Sequence, residues 1–197
     1  MEEGRLPPGQ YLTRDLPVYH VGTVPPFMPE SWNLRLSGLV RRELDLSWDE
    51  FRALPRVELT TDFHCVTTWS RYDLNWGGVL TSELVRKCSL LPEAKYAYIQ
   101  ADGNYTTIVK VEDLMAPTSI LADSLDGQPL DPKHGFPARL VIPHLYAWKS
   151  AKWVRAIEFT ADYRPGFWEA RGYAPGGDVA SEDRFTGSDP NERHSGV

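Results

Sequence analysis

The sequence predicts a β-rich α+β fold, a single domain of mixed sheets with a few short helices. Three observations carry this. Short stretches alternate apolar and polar residues with period two, as half-buried strands do, most clearly at 32–38, 57–61 and 153–159. Segments with helix-start signals are few and brief. Finally, 16 Pro and 15 Gly punctuate the chain, while 7 Trp and 9 Tyr supply large aromatic packing units, a composition of loop-rich folds more than of helical bundles. A length of 197 residues suits one domain with a substantial core, and no internal repeat or second boundary is visible.

In chain order, residues 1–31 are rich in Pro, Gly and Tyr and read as an extended arm that either lies across the body or is partly disordered. Trp32-Asn33-Leu34-Arg35-Leu36-Ser37-Gly38 is an alternating strand closed by a glycine turn. Ser47 with Asp49 and Glu50 starts a short helix that ends before Pro55. A strand over 57–61 leads to a loop at Cys65. Gly77-Gly78-Val79 then precedes a helix over about 80–88, capped by Thr81 or Ser82, with Leu84, Val85 and Cys88 on its apolar face. Strands over 96–101 and 106–111 flank the turn Asp102-Gly103-Asn104-Tyr105. A brief helical turn over 112–115, strands over 119–124, 139–143 and 153–159, and a turn over 125–130 complete the domain at about residue 175. Roughly nine short strands and three short helices are expected, with a polar, glycine-rich tail over 176–197.

Charge and composition narrow the function classes. The net charge is −6 and the longest basic run is Arg41-Arg42, which argues against a nucleic-acid binder. Met1-Glu2-Glu3-Gly4-Arg5 carries no apolar signal region, and no window is long and apolar enough for a membrane helix. Cys65 and Cys88, the two cysteines, lack the paired spacing of a structural zinc site and read as reduced thiols of a cytoplasmic protein.

Two clusters carry chemistry. Asp62-Phe63-His64-Cys65-Val66-Thr67-Thr68-Trp69-Ser70-Arg71 sets a thiol where a strand empties into a loop. That thiol reads as a nucleophile, a metal ligand or an inert buried side chain, and cysteines are among the most often buried residues. A Cys-His hydrolase would need His134 or His144 brought to it in space, and nothing in the sequence marks them for that. The second cluster is Lys133-His134-Gly135-Phe136-Pro137-Ala138-Arg139 followed by Lys149-Ser150-Ala151-Lys152, cations in two turns. They are either an anion clamp or solvated loop residues.

Taken together, the Cys65 segment, Asn75-Trp76-Gly77-Gly78-Val79, Ala101-Asp102-Gly103-Asn104-Tyr105-Thr106, Leu121-Ala122, Gly127-Gln128-Pro129-Leu130, the run from His134 to Pro143, Lys149-Ser150-Ala151-Lys152-Trp153 and Gly166-Phe167-Trp168-Glu169-Ala170-Arg171-Gly172-Tyr173 resemble the sulfite oxidase-type molybdopterin-binding domain. The match runs in unchanged order over roughly 30 to 175. The resemblance implies a sulfite oxidase-like fold and a molybdenum–molybdopterin cofactor, mononuclear with one pterin dithiolene. It implies Cys65 as the metal's protein thiolate and His134 and Arg139 on the pterin or its phosphate. Lys149, Ser150 and Lys152 would lie along the phosphate, and His20 would be a pterin contact. His64 and Arg71 would flank the metal, with Asp102 and Tyr105 at the substrate mouth. It further implies two-electron oxygen-atom transfer on a small substrate, either a sulfite-like oxyanion or an S- or N-oxide, with a separate electron-transfer partner. A non-catalytic molybdopterin carrier is the alternative. The Cys-Ala-Gly-Asn-Arg-Arg stretch of animal and plant sulfite oxidases is replaced here by Cys65-Val66-Thr67-Thr68-Trp69-Ser70, so their paired arginines are not reproduced and the substrate does not transfer from that branch.

Overall fold

The computed structural model describes residues 5–187. The strands in order are Tyr11–Leu12 (β1), Asn33–Gly38 (β2), Leu44–Ser47 (β3), Val57–His64 (β4), Trp69–Leu80 (β5) and Tyr96–Ala101 (β6). Then follow Thr106–Lys110 (β7), Ile120–Leu125 (β8), Gln128–Pro129 (β9), Arg139–Val141 (β10) and Val154–Thr160 (β11). The α-helices are Trp48–Arg52 (α1), Thr81–Cys88 (α2) and Val111–Met115 (α3). One sheet runs β1-β5-β8-β10, with β4 also on β5 and β9 on β8; the other runs β3-β2-β11-β6-β7. Parallel pairs (β1 with β5, β2 with β11) sit among antiparallel ones, so both sheets are mixed.

The alternating segments do what their pattern dictates. Leu34 and Leu36 of β2 are fully buried while Arg35 between them is exposed. They belong to a large core that also takes Val79, Leu121 and Leu140 from the first sheet, Ile99 and Ile157 from the second, and Leu84 and Cys88 from α2. Ser47 caps α1 as expected. Its hydroxyl accepts from the Glu50 amide, and the Glu50 carboxylate accepts the Ser47 amide in return. α2 is different: Leu80 is its N-cap residue, with no side-chain cap. Thr81 is buried and donates instead to the carbonyls of Leu114 and Ser119, which ties the helix start to α3 and to the residue that precedes β8.

The largest departure from expectation is β5. Its 12 residues form the centre of the first sheet, where the sequence suggests only a loop and a glycine pair. Asp73, Asn75, Gly77 and Gly78 weaken the intrinsic strand signal, yet pairing with β4 on one edge and β8 on the other imposes the strand. The glycines are a packing requirement. A Cβ on Gly78 would overlap the Leu121 carbonyl, and one on Gly77 the Ser124 hydroxyl.

The arm does lie across the body: β1 adds to β5 opposite Trp69 and Ser70. Beyond 175 the chain stays engaged, through bridges from Leu145 to Asp178 and from Tyr173 to Phe185. Residues 188–197 of the expected tail, and 1–4 of the arm, lie outside the described residues. No helix among the described residues is long and apolar enough to cross a membrane.

Gly78→Ala is expected to destabilise the protein by about 3 kcal/mol or to prevent folding, because the β8 backbone it would meet cannot yield as a side chain can. A denaturant midpoint within a few tenths molar of the parent would contradict this account of the glycine pair.

Candidate cofactor cavity

Cys65 stands at the turn of the β4–β5 hairpin. Its amide donates to the Trp69 carbonyl at 2.9 Å, and its carbonyl accepts from the Thr68 amide at 3.0 Å. The Thr67 hydroxyl donates to the Cys65 sulfur at 3.2 Å, orienting the thiol. Behind the turn runs a buried polar chain. Gln10 Nε2 donates to the Cys65 carbonyl at 3.0 Å, and Ser70 Oγ donates to Gln10 Oε1 at 3.2 Å. With the Ser70 proton so committed, His64 Nδ1 carries the hydrogen in its 2.8 Å contact with Ser70 Oγ. Burial holds the His64 pKa below the ordinary imidazole range, which favours the uncharged ring.

The thiol opens on a cavity of about 460 Å³, within the roughly 300–1,000 Å³ usual for cofactor and ligand sites. Its walls come from the arm (Leu16, Val18, His20), the hairpin (Cys65, Val66, Thr67, Trp69), Tyr105, Arg139, the segment bearing Trp148, Ser150 and Lys152, and the aromatic pair Trp168 and Tyr173. Arg139 is 4% exposed and lies over the rings of Phe63 and Trp76, 4.8 and 5.6 Å from their centroids. One of its terminal nitrogens donates to the His134 carbonyl at 2.9 Å, and its buried Nε has no partner among the described residues. Burial pushes the guanidinium down to about 10, and the neighbouring Cys65 works in the opposite direction. Lys152 donates to the Tyr19 carbonyl at 2.9 Å and the Lys133 carbonyl at 2.7 Å. Burial, then the charge of Arg139, lower its ammonium to about 7.

Of the residues singled out in the sequence, His20, Cys65, Tyr105, Arg139, Ser150 and Lys152 line this one cavity. Five others do not. His64 acts from behind the hairpin, as described. Arg71 points its guanidinium at the neighbouring Tyr72 carbonyl, at 2.9 Å. Asp102 faces Arg155 across 3.8 Å, away from the cavity lining. His134 donates to the Leu16 carbonyl at 3.1 Å and so anchors the arm. Lys149, expected along a phosphate, is fully buried, and its three protons go to the Glu169 carboxylate at 2.6 Å, the Pro175 carbonyl at 2.7 Å and the Ile108 carbonyl at 2.8 Å. Its pKa is lowered by burial against the pull of Glu169. Tyr105 lines the cavity, but its hydroxyl donates to the Trp148 carbonyl. Sequence reasoning missed the aromatic walls Trp69, Trp148 and Trp168. The signal for Trp148 and Trp168 was the density of Trp in the segments that end the domain, and for Trp69 its place four residues after Cys65.

A family model described as the oxidoreductase molybdopterin binding domain matches residues 21–168. The chain belongs to that family. It is a molybdopterin-dependent oxidoreductase domain of the sulfite oxidase type. It is 46% identical over 186 residues to the uncharacterized oxidoreductase YuiH of Bacillus subtilis (strain 168), covering 94% of each chain. It is 34% identical over 143 residues to the putative protein-methionine-sulfoxide reductase subunit YedZ1 of Azospira oryzae, covering 73% of this chain and 54% of that one. The sulfane dehydrogenase SoxCD from Paracoccus pantotrophus has the same fold, with a TM-score of 0.69 at 21% identity over 82% of this chain and 47% of that one. The chain thus spans nearly all of the Bacillus relative and about half of the others.

The cavity fits the family's cofactor on its own chemistry. A soft thiol suits a soft-ligated metal, two desolvated cations suit a phosphate, and Arg139 Nε and the Trp69 indole N–H are buried donors still without acceptors among the described residues.

Lys149→Met is expected to cost about 3–5 kcal/mol by stranding the buried Glu169 carboxylate, whereas Lys149→Met combined with Glu169→Leu should recover most of it. Thermal or chemical unfolding of the two variants decides. Equal loss in both would refute a structural ion pair.

Proposed function

We propose that this chain catalyses two-electron oxygen-atom transfer to or from a small substrate, an S- or N-oxide or a sulfite-like oxyanion, and exchanges electrons with a separate partner protein. The observation that carries the reading is the placement of the Cys65 thiol and the Arg139 and Lys152 cations around one cavity of about 460 Å³. The YedZ1 relative, a putative protein-methionine-sulfoxide reductase subunit, supports both the reaction class and a separate partner. Two free thiols support a reducing, cytoplasmic setting.

When bound, the cofactor supplies the redox chemistry at molybdenum. The chain's own residues hold it. Cys65 would be the thiolate ligand, with the Thr67 hydroxyl donating to its sulfur and the His64–Ser70–Gln10 chain fixing its backbone. Arg139, Lys152, Ser150 and the His20 ring would take the pterin and its phosphate. Ser150 already accepts the Ile142 amide at 3.1 Å, which leaves its hydroxyl proton for a ligand. His20 is held edge-on to Trp153, at 5.6 Å between centroids. The aromatic walls exclude water from the thiol, which is 8% exposed as a residue.

Protein purified from a molybdenum-replete host should carry molybdenum and pterin fluorescence, and reduce an S- or N-oxide or oxidise sulfite in a dye-linked assay. Cys65→Ser should lose turnover by at least about 100-fold while unfolding within about 1 kcal/mol of the parent. Retained turnover in that variant would sink the ligand role.

Phosphate affinity should also respond to pH. A lysine whose pKa sits near 7 in the free protein is charged below that pH and must take up a proton to meet a phosphate above it. Binding of the cofactor to the free chain should therefore weaken as pH rises from 7 to 9, and Lys152→Met should flatten that slope. A slope unchanged in the variant would remove Lys152 from the clamp.

A further inference from the structure

The cavity has two chemically different sides, and only one is explained by a cofactor phosphate. Among the described lining residues the cationic side chains are Arg139 and Lys152, both tied to the 133–139 turn. The remaining polar lining beside Cys65 is an uncharged corner of Trp148, Trp168 and Tyr173, closed by Val66 and Thr67. Its rings hold one another. Trp168 and Tyr173 lie 4.9 Å apart and tilted by 31°, Trp148 meets Tyr173 edge-on at 5.1 Å, and Tyr146 stacks on Trp148 at 5.5 Å. The Tyr173 backbone is fixed by the hydrogen bond its amide donates to the Trp168 carbonyl and by its bridge to Phe185.

Two donors in this corner have no partner among the described residues. The Trp148 indole N–H is buried without a partner among the described residues. The Tyr173 phenol, on a half-buried residue, makes no hydrogen bond to a described residue. A phenol keeps its proton at neutral pH. Tyr105, the phenol expected at the substrate mouth, is not available in the same way, because its proton is committed to the Trp148 carbonyl.

We propose that Tyr173 is the hydrogen-bond donor that meets the substrate's oxygen, and that the Trp148–Trp168–Tyr173 corner selects an uncharged S-oxide over an oxyanion. This rests on the oxygen-transfer reading above. An S-oxide presents a strongly accepting oxygen to the phenol and a partly positive sulfur with its carbon substituents to aromatic faces. Sulfite brings negative charge to a corner whose lining residues carry no cation, since Arg184 lies behind it, over the Tyr146 ring and donating to the Val66 carbonyl at 2.8 Å, and sulfite must shed its hydration there. The reaction balances: one sulfoxide takes up two electrons and two protons and gives one sulfide and one water. The S–O bond breaks, the sulfur is reduced, the oxygen leaves as water, and the electrons come from a one-electron donor such as a reduced viologen dye.

The test uses the molybdenum-loaded protein and two readouts. Methyl phenyl sulfoxide is titrated against tryptophan fluorescence, since Trp148 and Trp168 form the corner, and its viologen-driven reduction is measured beside sulfite oxidation. Wild type should bind and reduce the sulfoxide. Tyr173→Phe should weaken binding and lower kcat/KM by about 5- to 10-fold, the loss of one hydrogen bond, with molybdenum content unchanged. If Tyr173→Phe fails to fold, wild type answers alone, because thioanisole, the same skeleton without the oxygen, should bind at least about 5-fold more weakly than the sulfoxide. Unchanged sulfoxide binding in Tyr173→Phe, or equal binding of thioanisole, overturns the role of Tyr173. Sulfite oxidation without sulfoxide binding overturns the selectivity and leaves the oxygen-transfer reading standing. Sulfoxide binding that depends on Tyr173, with no turnover of any substrate, overturns the oxygen-transfer reading and retains the binding corner.

Discussion

Both backbone polar groups of Cys65 are engaged, the amide with Trp69 and the carbonyl with Thr68 and Gln10, and much of the site hangs on that turn. The turn is strained. Thr68 sits at φ 73°, a region unfavourable for a β-branched residue, at a cost of order 1–3 kcal/mol. The arm offsets it. The Tyr11 amide donates to the Thr68 carbonyl at 2.8 Å and the Thr13 amide to Ser70 at 2.9 Å, so β1 forms only on a hairpin already bent this way. Arm and hairpin therefore order together. That order is what gives the cavity its wall at Leu16, Val18 and His20.

A second support comes from Lys149 and Glu169. The carboxylate also accepts the Thr107 hydroxyl at 2.6 Å, so one buried oxygen joins β7, the turn at Ala147–Lys149 and the turn at Glu169–Arg171. Those two turns carry Trp148 and, just before the second, Trp168. The ion pair thus fixes the spacing of the aromatic walls without touching the cavity. Two lysines in one short segment, Lys149 and Lys152, divide into a structural cation and a ligand-facing one. The 3-10 geometry over Ala147–Lys149 turns the first inward, while Lys152 leaves after it, between Tyr19 and the 133–139 turn.

That division marks the limit of what the sequence could reveal. Local patterns were legible where local physics decides them: the alternation of β2, the Ser47–Glu50 capping box, and the Asp102-Gly103-Asn104 reversal between β6 and β7. The resemblance, carried by ordered blocks, located Cys65, Arg139, Ser150 and Lys152 on one cavity. What stayed illegible is decided by distant partners. β5 is a strand because β4 and β8 flank it, although its own residues are poor strand formers. The Thr81 hydroxyl looks like a helix cap and is drawn away by carbonyls of Leu114 and Ser119. Spacing alone cannot tell that Tyr105 donates to a backbone oxygen while Tyr173 does not.

The charges of the fold show what the cavity lacks. Asp123, with a fully buried side chain, is matched by Arg52 and Arg56, and the buried Lys149 by Glu169. Arg139 and Lys152 are the contrast, since among the described residues neither has a carboxylate partner, and both are driven toward their neutral forms by burial. Aromatic faces and backbone carbonyls compensate a desolvated cation only in part. An anion bound between them would recover the remainder, so its binding free energy becomes stability of the folded chain. Cofactor loading would for that reason be coupled to the rigidity of the Cys65 hairpin: Arg139, one of the two cations facing the cavity, packs on Phe63 at the end of β4 and on Trp76 of β5, the two strands that present the thiol.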